Sequence, residues 1–224
     1  MLLAIDTSTD SASIALVQDS KLLAEASWRC GQNHSVELLP RLAHLLNESK
    51  VGLQSINCVI VAKGPGSFNG LRVGISTAKG LAFSLGIPII GISSLKLEAY
   101  QYAETGLPTC PIFNAGRGEI ATALYQKKDN KWRQLAPEHI TTVDALDSEI
   151  TSKTLFCGEY VPLIASRLRK KLGQRAVIAP EQLRPARLLV ELAKGRFEAG
   201  DYDHPTTLQP LYLRRPAITQ RRHR

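Results

Sequence analysis

Hydrophobic positions along the first hundred residues change period twice. "LLAID" runs into polar "TSTDS", "ASIALVQ" alternates, "DS" turns, and "KLLAEASWR" alternates again, so residues 2–29 predict three antiparallel strands in a meander. From Ser35 the spacing becomes helical. Val36, Leu38, Leu39, Leu42, Ala43, Leu45 and Leu46 recur through "SVELLPRLAHLLNES", the pattern of an amphipathic helix. Ser35 is the expected N-cap, Glu37 suits the first turn, and Pro40 falls inside, where it removes one backbone hydrogen bond. The apolar arc spans about half the circumference, more than the roughly 100° one core contact needs. That width predicts two packing partners.

"INCVIVA" is a continuous apolar run suited to a buried central strand. A glycine loop, a helix from Asn69 to Leu85 and the buried strand "PIIGI" follow. Three antiparallel strands, helix, strand, helix, strand is the half-unit of the actin-like ATPase (ASKHA) fold, an α/β architecture shared by sugar kinases and Hsp70-type chaperones. After residue 100, "TCPIFNAG", "EIATALYQ" and "KWRQLAPEHI" predict a second meander with turns at "NAGRG" and "KKDN". A short helix at "VDALDSEI", strands at "TLFCGE" and "VIAP", and helices over 161–172 and 185–199 follow. The expectation is two lobes, 1–100 and 101–224, each a mixed sheet with flanking helices, the second truncated with missing or trimmed elements.

Charge separates the halves. Residues 1–112 carry 8 Lys/Arg and 8 Asp/Glu, whereas 113–224 carry 20 and 12, which places the whole +8 in the second half. Arg214, Arg215, Arg221, Arg222 and Arg224 end the chain without an acid among them. Such a segment either contacts phosphate backbones or is a solvated tail. The whole-chain composition, 44% hydrophobic and 21% charged, is that of a globular chain, and no apolar run approaches the roughly 18 residues of a membrane helix. A cytoplasmic protein is expected. Cys30, Cys58, Cys110 and Cys157 are far apart and mostly in apolar runs, which predicts buried free thiols.

Two segments could bind phosphate. Asp6 closes the first strand and is followed by Thr7 and Ser8; a carboxylate there can hold a hydrated metal facing a nucleotide, or the segment is an Asx/ST turn. In "GPGSFNGLR", Gly64, Gly66 and Gly70 allow close backbone approach, Ser67, Asn69 and the helix amides can satisfy an anion, and Arg72 follows. The spacing is neither a Walker nor a Rossmann loop. It stands equally for a vestigial phosphate cradle and for a strand-to-helix turn kept for packing. No pair of the five histidines lies three to five residues apart, so no helical metal clamp is available, and Ser67 is not in a G-x-S-x-G elbow.

The helix after the loop presents Leu71, Ile75, Ala78, Ala82 and Leu85 on one face. On the other, Val73, Thr77, Gly80 and Ser84 form a stripe of small residues that lets another helix approach, either a partner's or the preceding helix of this chain. Together with Leu38, Leu42 and Leu45 of the preceding helix, this stripe is the expected partner interface.

"LAIDTSTDSASIAL", "NHSVELLP", "GPGSFNGLRVGISTAKGLAF" and the closing "PLYLR" resemble the TsaB (YeaZ) family, over residues 2–125 and again at 210–214. The resemblance implies the dimerization subunit of the bacterial tRNA threonylcarbamoyladenosine machinery. It is a noncatalytic paralogue of the TsaD-type transferase and lacks that enzyme's H-x-x-x-H motif. It implies pairing with that transferase, joint work with a TsaE-type ATPase, contact with tRNA indirectly through the complex, for which the basic C-terminal half is the candidate route, a homodimer when alone, and no cofactor of its own beyond an interface-bound or weak ATP/ADP with Mg. One departure is Asn114 in "NAGRGE", where the family commonly has aspartate. The alternatives are a small-molecule kinase of the same fold, which needs a catalytic carboxylate and an adenosine pocket, and a metallopeptidase, which needs the absent metal motif.

Overall fold

The computed structural model describes residues 1–214; Arg215, Arg221, Arg222 and Arg224 lie outside the described residues. Strands β1 (Leu2–Asp6), β2 (Ser11–Gln18) and β3 (Lys21–Arg29) form the first meander. Helix α1 (His34–Glu48), strand β4 (Cys58–Ala62), helix α2 (Phe68–Leu85) and strand β5 (Ile89–Ile92) follow. The sheet order is β3-β2-β1-β4-β5, with β4 and β5 parallel to β1.

Beyond α3 (Ser94–Tyr100) the pattern repeats. Strands β6 (Thr109–Gly116), β7 (Glu119–Lys128) and β8 (Lys131–Thr142), helix α4 (Leu146–Glu149), strand β9 (Thr154–Cys157), helix α5 (Val161–Leu172) and strand β10 (Ala176–Ile178) give the order β10-β9-β6-β7-β8. The two orders are the same unit twice, the actin-like arrangement. All five strands read from the sequence are present in the second copy, and the expected trimming falls on a helix. What is trimmed is α4, four residues against the fifteen of its counterpart α1.

Helix α6 (Arg187–Glu198) lies not on its own sheet but on the first. Ala186, Leu189 and Ala193 pack with Ala4, Ala15, Ile60 and Ile92. Helix α3 in turn sets Leu95 and Ala99 against Phe113, Ala121 and Tyr125 of the second sheet, while Leu97 joins the first. These two helices sit between the lobes and bury both sheets' inner faces.

Two local expectations shift. Helix α1 starts at His34 rather than after Ser35, with Asn33 as N-cap and no side-chain cap bond. The start is fixed tertiarily: His34 Nε2 bonds the Thr9 carbonyl at 2.7 Å, and since a carbonyl only accepts, Nε2 carries the proton. Helix α2 starts at Phe68, capped by Ser67, whose hydroxyl accepts from Gly70 N. All four cysteines are free and buried, and burial pushes the Cys30 thiol up to about 11. Among the described residues no helix is long and apolar enough to cross a membrane.

Candidate functional site

The glycine loop and the Asp6–Thr9 turn touch each other directly. A Cβ at Gly66 would collide with the Ser8 carbonyl oxygen, one at Gly70 with that of Thr7, and one at Gly74 with the Thr7 hydroxyl. The contact is hydrogen-bonded: Ser67 N donates to Ser8 O at 2.8 Å and the Thr7 hydroxyl to Gly70 O at 2.7 Å. Gly64 (φ +106) lies under the Leu211 backbone, whose N–H donates to Lys63 O at 2.6 Å. Its own N–H is taken by the Ser94 hydroxyl at 3.0 Å. The glycines thus serve backbone-to-backbone packing, and the "PLYLR" segment closes over them, with the Tyr212 ring tilted at 32° against Phe68, centroids 5.6 Å apart. Asn69 and Arg72 are exposed on the first turn of α2, and Arg72 lies 3.8 Å over the Phe68 ring.

The other face of the Asp6 turn looks into the cleft, and Arg184 fills it. Its Nε donates to Asp6 Oδ2 at 2.9 Å, Nη1 to Glu98 Oε2 at 3.2 Å, and Nη2 to the Ser8 and Thr9 hydroxyls at 2.9 and 3.0 Å. Asp6 Oδ1 accepts from Ser8 N and Ser8 Oγ. Asp6, Glu98 and Arg184 are 1%, 5% and 6% exposed. Burial pushes the Glu98 carboxyl up to about 7, with Arg184 opposing and Asp6 adding to the rise. Burial disfavours the charge on Arg184, but Asp6, Glu98 and Glu159 outweigh it and hold the guanidinium above its ordinary range. The free space left is about 40 Å³, against the roughly 300–1,000 Å³ of small-molecule sites. At the outer mouth Asp10, Glu159 and Glu181 are three carboxylates beside Arg29, which already pairs with Glu181. Asn114 lies there too, its Oδ1 accepting from Gly116 N at 2.8 Å.

So the structure brings Asp6, Thr7, Ser8, Gly64, Gly66, Ser67 and Gly70 into one locus, but with Gly66 and Gly70 against the turn's backbone, Gly64 against that of Leu211, and a cation already on the carboxylate. Sequence reasoning missed Arg184, Glu98 and Glu159. Glu98 carried a signal: a lone carboxylate within "SLKLEAY", whose Ser94, Leu95, Leu97, Glu98 and Ala99 are all buried. Among the described residues no group of three His, Cys, Asp or Glu could hold a metal ion.

The second predicted locus needs correction. Leu38, Leu42 and Leu45 are 1%, 3% and 8% exposed and lie in the first lobe's core with Leu71, Ile75 and Ala78. They hold α1 onto the sheet and onto α2, and are not free for a partner. The outward apolar residues of α1 are Val36 and Leu39 instead. On α2, Val73 and Thr77 are half-buried, Gly80 and Ser84 exposed, and a Cβ at Gly80 would meet no atom of the described residues within 4 Å. Phe83 is 78% exposed beside them. The outer sides of α1 and α2 thus leave Val36, Leu39 and Phe83 exposed, with no side chain over Gly80 among the described residues.

Over 219 residues the chain is 36% identical to the tRNA threonylcarbamoyladenosine biosynthesis protein TsaB of Bacillus subtilis, covering 95% of this chain and 93% of that protein. This chain belongs to the TsaB family. The Haemophilus influenzae TsaB is 40% identical over 226 residues, again covering 95% and 93%. A sequence model of the related TsaD family, tRNA N6-adenosine threonylcarbamoyltransferase, matches residues 29–177. The solved structure of YeaZ from Pseudomonas aeruginosa superposes with a TM-score of 0.81 at 26% identity, covering 95% of this chain and 99% of that one. The TsaB-family pattern therefore extends through residues 126–209, where the sequence offers no diagnostic motif.

Proposed function

We propose that this chain is a noncatalytic subunit in the formation of threonylcarbamoyladenosine on tRNA, docking on a TsaD-type transferase through the outer face of α1 and α2. The observation that carries the noncatalytic reading is Arg184. A nucleotide held by this cleft would set its phosphates against Asp6 through a metal ion, and the guanidinium already satisfies that carboxylate together with Glu98. A kinase of this fold would need a free carboxylate at the same place. The family name supplies the tRNA pathway, and the likeness to the TsaD family supplies the partner: two similar lobes with matching helices can pair about a pseudo-twofold axis, as identical ones do in homodimers. A TsaE-type ATPase completes the assembly in this reading, nucleotide belongs to the assembled complex rather than to this chain, and the chain pairs with itself when the transferase is absent.

Gly80→Leu tests the docking face. The added side chain projects into open space on an exposed helix, so the monomer stays folded, and it stands where a partner helix must approach. Co-purification with the transferase is expected to fall at least tenfold with unchanged circular dichroism. Full co-elution of the variant would remove the α1–α2 face as the docking surface.

A further inference from the structure

In the first lobe α1 covers the outer strands. Its counterpart α4 reaches only the cleft-side half of β7 and β8, where Glu149 meets His139 at 2.9 Å and Thr141 at 2.9 Å. Toward the hairpin turn the same sheet face has no helix over it among the described residues. Alternation fixes what it displays. Trp132 stacks on Tyr125 at 5.6 Å on the side covered by α3, so its neighbours Lys131 and Arg133 point to the opposite side. Lys128, paired with Lys131 across a turn whose Asp129 and Asn130 have φ +51 and +56, joins them.

More cations share this end. Strands β9 and β10 begin here, so Lys153, just before β9, and Arg169 and Lys170, in the last turn of α5, flank the same rim. Strands β8 and β9 are three spacings apart, about 14 Å. The neighbouring carboxylates are engaged: Asp144 by Arg167 and Lys171, Asp147 by Arg175, Glu149 by His139, and Glu104 by Lys127. Asp129 at the turn is the one acid left beside six exposed cations that form no ion pair among the described residues.

We propose that this basic end of the second lobe is a contact surface for the phosphate backbone of tRNA. It rests on the tRNA reading above and goes beyond it by naming the surface. A protein-binding patch has an apolar or aromatic centre and few lysines; here Leu135 is the one large exposed apolar side chain of the hairpin among the described residues. Cations spread over about 14 Å span several phosphates and need no base contact.

The test uses the full chain and a fluorescently labelled tRNA transcript, with anisotropy read from about 0.05 to 0.2 M salt. Lys128→Gln, Lys131→Gln and Arg133→Gln combined should weaken binding roughly tenfold at about 0.1 M salt and lower the salt slope by about 2–3, since each of the three phosphate contacts contributes about 0.7–0.9. Co-purification with the transferase should not change. No binding by the wild-type chain, or an unchanged affinity and slope in the triple variant, would overturn the proposal. So would a variant that keeps its RNA affinity but loses the transferase, which would make the patch a protein contact. If the wild-type chain restores threonylcarbamoyladenosine to a deletion strain while the triple variant binds tRNA normally, this surface is wrong and the pathway stands. If the wild-type chain fails to restore it, the pathway reading fails and the anisotropy still decides the surface.

Discussion

A guanidinium held between two buried carboxylates is costly to uncover. Removing Arg184 leaves Asp6 and Glu98 desolvated without their partner, and losing one member of a buried pair destabilises by about 3–5 kcal/mol. Arg184→Ala is expected to lose that much in urea unfolding. Combining Arg184→Met with Asp6→Asn and Glu98→Gln should recover most of it, because the isolated charges go with the cation. Glu98 also sets a pH dependence. Its carboxyl is raised from 4.5 to about 7 by burial, so the folded state holds its proton after the unfolded chain has released it. Its contribution to stability is therefore complete below about pH 4.5 and is lost as the pH rises through 7. Unfolding free energy of wild type relative to Glu98→Gln should fall across that window; a constant difference would show that Glu98 does not titrate there. Asp6 was legible in the sequence because a strand that stops at a carboxylate is a local pattern. Arg184 was not, because 178 residues separate it from Asp6 and "QLRPAR" looks like any solvated basic segment.

At the scale of elements, the glycines of the loop and of α2 divide by what surrounds them. Gly66→Ala drives a methyl group into the Ser8 carbonyl and should cost about 3 kcal/mol or more through backbone strain. Gly80→Ala meets no atom and removes a flexible residue from an exposed helix interior, so it should stabilise by about 0.5–1 kcal/mol. Thermal melts of the two variants, displaced in opposite directions, check both. The sequence shows that glycines permit close approach, but not whether a phosphate or a neighbouring carbonyl makes that approach. Helix α1 has the same ambiguity. Its periodicity gives an apolar arc wide enough for two contacts, yet only the packed helix reveals that Leu38, Leu42 and Leu45 turn inward while Val36 and Leu39 remain outside. Strand and helix order, by contrast, was readable almost throughout, because alternation and 3.6-residue spacing are local signals.

Across the whole molecule, one unit is used twice to different ends. The first copy keeps both outer helices, with Val36, Leu39 and Phe83 exposed on them; the second keeps every strand, loses most of one helix and bares a basic sheet end. Helices α3 and α6 sit between the sheets, and Arg184 locks the cleft that the duplication creates. In the function proposed above, a chain built this way contributes surfaces, with the reacting groups on its partner. The most direct test is reconstitution of the transferase with its ATPase, tRNA, ATP and threonylcarbamoyl donor chemistry, scored by mass spectrometry of the modified nucleoside. The account predicts threonylcarbamoyladenosine with this chain present, less than about a tenth of that yield without it or with Gly80→Leu in its place, and a yield kept when Arg184→Met, Asp6→Asn and Glu98→Gln are combined. Full yield in the absence of the chain, or a yield abolished by that cleft triple variant while it remains folded and bound to the transferase, would contradict it.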